Sequence, residues 1–195
     1  MYWAEENEVP GLRPGLARTI KTFRNDGTRN TQGQCRQIGP DDFFTDEEID
    51  QLIAEADRTG YAMAACVLHF AAKTGERIGE IAGVEWKDIR FNERLIDVKR
   101  QGTGRPPKNG TTRVVPLDLE LQKRLKAWRL QTPYKRLNDP VFPRASGGHH
   151  GKNFSFAPML EQVATRTGIT RPRYYNHMMR HSFASNWLRA GKSDW

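Results

Sequence analysis

The chain reads as an α+β fold, mainly α-helical with one small antiparallel β-sheet. Apolar residues recur at helical spacing in several segments, each bounded by caps or glycines. Two short runs rich in Ile, Val and Thr, Arg94–Arg100 and Thr111–Leu117, read as the strands of a hairpin. Their connection carries Gly102, Gly104, Pro106, Pro107 and the turn pair Asn109-Gly110. At 195 residues the chain is long enough to bury one core, with or without a tail, and it has no internal repeat.

Residues 1–40 are polar, basic after Pro10 and broken by prolines and glycines, with only Leu12, Leu16, Ile20 and Phe23 as apolar anchors. They read as a flexible basic tail or the remnant of a linker, and the compact domain spans 41–195. Thr45 and Glu48 form a capping box flanked by Phe44 and Ile49 as a hydrophobic staple. Ile49, Leu52, Ile53 and Ala56 then continue one helical stripe, and Gly60 stops it. Tyr61–Ala72 is apolar nearly all round, so a central helix is expected there. Thr74-Gly75 breaks it before a helix carrying Arg77.

After the hairpin, Asp118 caps a helix with Leu121, Leu125 and Trp128 on one stripe. Gln131–Lys152, with Pro133, Pro140, Pro143 and Gly147-Gly148, reads as a long loop. A helix around Met159–Thr167 ends at Gly168. The last helix begins near Asn176, turns Met179, Phe183, Trp187 and Leu188 to its apolar side, and stops at Gly191.

The formal charge of +8 points to a polyanionic partner, nucleic acid before membrane. Its placement is uneven: eight acids and no base between Asp41 and Asp57, five bases and no acid from Lys99 to Arg113, and six unopposed bases from Ala164 to Lys192. If the fold joins the two basic stretches, one face is strongly positive and the acidic helix lies elsewhere. Lys99, Arg100, Arg105, Arg113, Arg171 and Arg173 are the candidates to contact DNA from that face. The two cysteines, Cys35 and Cys66, have no paired spacing, which argues against a zinc site or a disulfide framework. No apolar stretch is long enough to span a bilayer and the N-terminus is acidic, so a cytoplasmic protein is expected.

Arg77 and Glu80 stand three apart, where a carboxylate can fix the pose of a guanidinium that grips phosphate. Alone, such a pair is ordinarily a weak surface ion pair. His177 and Arg180 repeat that spacing at a helix N-terminus, which also favours anions. Lys108, beside the hairpin turn, can reach a leaving-group oxygen and give it a proton. His149-His150 lies in the Gly-rich loop and reads as loose chain, not as a metal site.

Taken together, Thr74-Gly75-Glu76-Arg77-Ile78-Gly79-Glu80, Trp86-Lys87-Asp88-Ile89, Lys108 before Arg113-Val114-Val115-Pro116-Leu117, and His177-x-x-Arg180-His181-Ser182-Phe183-Ala184-Ser185 resemble the catalytic domain of the tyrosine recombinases, the phage-integrase family. The match covers roughly 41–191. The resemblance implies the tyrosine-recombinase catalytic-domain fold, and DNA strand cleavage and rejoining through a 3′-phosphotyrosyl intermediate without metal, ATP or other cofactor. By it, Arg77 and Arg180 clamp the phosphate oxygens, and His177 hydrogen-bonds the phosphate and helps take the nucleophile's proton. Lys108 protonates the departing 5′ oxygen, while Glu80 and His181 support the site. The implied partners are double-stranded DNA and further protomers forming a tetramer on it, with a monomer in solution. The family's nucleophilic tyrosine follows the second arginine, and none of Tyr2, Tyr61, Tyr134, Tyr174 or Tyr175 does so here. The expectation is a C-terminally truncated catalytic domain, inactive alone in strand cleavage, whose residues 1–40 are a flexible basic tail or the remnant of the linker to an N-terminal DNA-binding domain. Alternatives are a non-catalytic DNA-binding or regulatory protein on the same fold, or a type IB-like topoisomerase.

Overall fold

A computed structural model describes residues 38–107 and 110–191. Apart from its last three positions, the expected tail over 1–40 lies outside the described residues, as does Lys108. A 3-10 turn at Pro40–Asp42 leads into α1 (Asp46–Arg58). Thr45 caps α1 as its sequence requires: its side chain accepts from Glu48 N–H, and the Glu48 carboxylate accepts Thr45 N–H at 2.9 Å. Gly60 takes a left-handed φ of 75°, which lets the chain reverse after the helix.

Helix α2 (Ala62–Thr74) is the hub, packed by α1, by α4 (Leu119–Gln131) and by α6 (Met178–Arg189). Its run from Ala64 to Ala72 is buried throughout, which explains why the sequence shows no polar face. Cys66 packs here as a small hydrophobe, and burial pushes its thiol up to about 12. Helix α5 (Ala157–Thr167) closes the other side of α1. The core of Phe44, Leu52, Leu68, Phe70, Trp86, Leu121, Leu125, Phe142, Leu160 and Met178 lies between these helices. Each such side chain contributes about 1.5–3 kcal/mol by leaving water.

The sheet differs from the expected two-stranded hairpin. Strand β1 (Ile89–Arg90) pairs antiparallel with β2 (Leu95–Val98), which pairs antiparallel with β3 (Arg113–Pro116). Ile96 stands opposite both Ile89 and Val115, and Ile96 and Val98 face the core. Two residues of β1 carry too little alternation to be read from sequence.

Two further expectations change. The helix anticipated at Arg77 is a single turn, α3 (Ile78–Ile81), and Arg77 is its extended N-cap residue. In α6 the buried residues are Met178 to Ser182, whereas Phe183, Trp187 and Leu188 are only half-buried. Phe183 and Trp187 instead border an open groove of about 720 Å³ against Leu95, Val115 and Leu117. Among the described residues, no helix is long and apolar enough to cross a membrane.

Candidate functional site

The site is built where α2 ends. Gly75 caps α2 at φ 61°, a left-handed conformation that only glycine takes without strain. A Cβ there would lie 2.4 Å from the Phe183 ring, so glycine also lets α6 close onto the turn. The chain then runs extended through Arg77 into α3. Glu80 accepts Arg77 N–H at 3.0 Å, while its contact to the guanidinium is long, 3.5 Å. Arg77 Nε is buried without a hydrogen-bond partner, and the side chain is 17% exposed. The guanidinium thus keeps donors available for an anion.

Arg180 arrives from α6. Its Nη1 donates to Gly75 O, two residues before Arg77, and the residue is buried. Ser182 on the same helix accepts Phe44 N–H at 2.8 Å, locking α6 to the entry of α1. His177 is the N-cap residue of α6, and its ring lies 6.3 Å from that of His181. Arg180 therefore reaches the turn that leads into Arg77, although a hundred residues separate the two arginines.

Beneath Arg77 lie two carboxyls. The Glu76 and Glu80 side chains are each 1% exposed, and Arg113 from β3 bridges them: its Nη2 donates to both, at 2.7 Å to Glu80. One guanidinium cannot offset two buried carboxylates this close together. Burial, helped by a hydrogen bond with Glu80, pushes Glu76 up to about 8. Burial also acts to raise Glu80, but Glu76, Arg113 and Arg77 N–H outweigh it and hold that carboxyl down to about 2. The two carboxyls are thus pushed in opposite directions, Glu76 towards keeping its proton and Glu80 towards losing it. Arg180 is close enough to act on Glu76 electrostatically.

Most of the other basic candidates face carboxylates of the protein itself. Arg100 donates to Asp88 at 2.5 Å and to Gly83 O at 3.2 Å, fastening the Gly83–Asp88 segment to the end of β2. Lys99 pairs with Asp97 at 2.9 Å. Arg171 donates to Glu48 at 2.6 Å and stacks on Phe44. Arg173 lies over the Tyr175 ring, 5.1 Å from its centre. Arg105 is exposed. The acidic helix therefore does not stand wholly apart: Arg171 meets Glu48 and Arg124 holds Asp57 at 2.7 Å. Sequence separation concealed these pairs.

The connection that carries Lys108 docks on the same turn, since Gly102 N–H donates to Gly79 O at 2.8 Å. The His149-His150 segment, expected as loose chain, is pinned beside it. His149 meets Ala82 O at 3.0 Å and Glu85 at 3.1 Å, and His150 stacks on Phe154. Burial, together with nearby Arg144 and His149, holds His150 below its ordinary value. Glu76 is the site residue that sequence reasoning passed over. The signal was there, an acid directly before the arginine of a buried turn. Among the described residues, no group of three or more His, Cys, Asp or Glu side chains is placed to hold a metal ion.

Two buried or half-buried arginines thus meet at a glycine-capped turn, on a mainly helical domain with one three-stranded antiparallel sheet. Residues 42–194 match the model of the phage integrase family, and the chain belongs to that family. It is similar to the tyrosine recombinase XerC of Xanthomonas campestris pv. campestris (strain B100), 27% identical over 124 residues, covering 64% of this chain and 35% of the relative. XerC of Chromobacterium violaceum is 28% identical over 142 residues, covering 73% of this chain and 44% of the relative. The chain thus spans less than half the length of these relatives. Among solved structures, the XerA recombinase superposes with a TM-score of 0.62 at 24% identity, covering 76% of this chain and 50% of that one. The fold is that of the tyrosine-recombinase catalytic domains.

Proposed function

We propose that residues 41–195 are the phosphate-gripping part of a DNA strand-transfer enzyme that acts in site-specific recombination. One observation carries the reading: Arg180 is bonded to Gly75 O, at the turn that presents Arg77 with Nε unbonded and only a long contact at Nη1. Two guanidiniums there stabilise the charge that builds on a phosphodiester during attack. His177, at the N-terminus of α6, by the resemblance hydrogen-bonds the same phosphate and shares the nucleophile's proton. By the resemblance, Lys108 gives its proton to the departing 5′ oxygen. The tyrosine oxygen forms the new P–O bond as the 5′ P–O bond breaks, and the reverse step rejoins a strand. Glu80 and His181 support the site. Double-stranded DNA is the partner, with further protomers assembling into a tetramer on it; the protein is cytoplasmic, and alone in solution it is a monomer.

The nucleophile is not assigned to any tyrosine of this chain. Tyr174 Oη donates to Ile169 O and accepts Arg171 N–H, while Tyr175 Oη donates to Asp42 at 2.8 Å. Both hydroxyls are occupied by bonds that hold the fold. Lys99, Arg100, Arg113 and Arg171 likewise work first as internal ties, which leaves Arg105 and Arg173 as the stronger candidates for contacting DNA. Incubating the protein with duplex DNA and separating the mixture under denaturing conditions tests the assignment. Salt-sensitive binding without a covalent adduct is expected; a phosphotyrosyl adduct on Tyr174 or Tyr175 would overturn it.

A further inference from the structure

Glu76 takes no part in the phosphate chemistry just described, yet it is a buried acid within one residue of Arg77 and inside the field of Arg180. We propose that Glu76 and Arg113 are positioning residues for Arg77: Arg113 engages both buried carboxyls from the sheet side, so that Arg77 keeps its side-chain donors for a DNA phosphate. The inference rests on the reading of Arg77 as a phosphate ligand.

The geometry carries it. Glu80 is the carboxylate nearest Arg77, and without a competing cation it would close on that guanidinium as a tight ion pair. Instead Arg113 donates to Glu80 at 2.7 and 3.3 Å, and Arg77 is left with the single contact of 3.5 Å. The same Arg113 Nη2 donates to Glu76, which ties β3 to the turn. The groups acting on Glu76 are Glu80 from α3, Arg113 from β3 and Arg180 from α6, with burial the largest influence. Uncharged, Glu76 occupies one Arg113 donor and adds no second negative charge under the phosphate. Ionised, it opposes an incoming anion and competes for the cations.

The direction with pH follows. Glu76 loses its proton near about 8, far above the carboxyl's ordinary 4.5. DNA phosphates stay singly charged across this range, so a loss of affinity there reports the protein. Full affinity is present below that value and falls as pH rises through it.

The test measures fluorescence anisotropy of a labelled duplex at fixed low salt, from about pH 6.5 to about pH 9.5, for the wild type and Glu76→Gln. The wild type should bind about fivefold more weakly at the alkaline end than near neutrality, and E76Q should lose that dependence. Thermal unfolding supplies a second readout. The contribution of neutral Glu76 to stability is complete below about 4.5 and lost as pH rises towards about 8, so E76Q should flatten that decline. As a further variant, Arg113→Lys keeps one charge but not the two-carboxyl bridge, and should weaken duplex binding at neutral pH beyond any change in stability. Parallel alkaline decline in wild type and E76Q overturns the inference. Absence of salt-sensitive duplex binding by the wild type, at every pH, overturns the phosphate reading itself.

Discussion

Gly75 shows how much a single residue decides here. It is the left-handed stop of α2, the gap that admits Phe183 and the carbonyl that Arg180 holds. Gly75→Ala meets both a backbone and a packing penalty, and is expected to destabilise the domain by about 2–4 kcal/mol in urea unfolding. A change below a few tenths would show that the turn relaxes freely. The glycine break and the Arg77–Glu80 spacing were legible in the sequence, because caps and i, i+3 relations are local. The partner of Glu80 was not. Arg113 lies 33 positions away, and nothing in a pattern of residues says which carboxylate a distant guanidinium meets. Glu76 stood in view beside Arg77, but its burial, a property of the packed state, did not.

At the scale of elements, caps and stripes carried the reading. Thr45, Asp118 and Gly168 all stand where their side chains or backbone angles require. Misreadings fell on β1 and α3, which have too few residues to show a period, and on the apolar side of α6, where Phe183 and Trp187 border a groove. Helix α2 holds one polar group whose role is pH-linked. His69 is buried, its Nδ1 accepts Arg124 Nε–H at 3.1 Å, and burial, with Arg124 and Lys73, lowers it to about 4. The unfolded chain takes that proton nearer 6.5. Stability from neutral His69 is therefore complete above about 6.5 and lost as pH falls towards about 4. The His69 contribution should drop by on the order of 2 kcal/mol across this window, against the opposite trend set by Glu76. His69→Gln, which keeps an acceptor and cannot titrate, should remove most of that slope in denaturant titrations; an unchanged slope would assign the loss to other groups.

For the whole molecule, the excess of positive charge is real, but its distribution is not that of the linear sequence. Basic stretches that look unopposed along the chain are partly neutralised in space, through Arg100–Asp88, Arg113–Glu80, Arg124–Asp57 and Arg171–Glu48. Arg105 stays exposed, and the turn before α3 holds Arg77, with the buried Arg180 bonded to the same turn at Gly75 O. On the proposed function, DNA binding depends on that pairing of arginines, and Arg77, with Nε unbonded and one long contact to Glu80, is the member to remove. Duplex affinity measured across about 50–200 mM salt, for the wild type and Arg77→Ala, tests it most directly. The wild type should show a steep log–log salt dependence, and R77A should bind more weakly with a slope shallower by about one. An R77A protein of native stability with the wild-type affinity and slope would contradict the central claim.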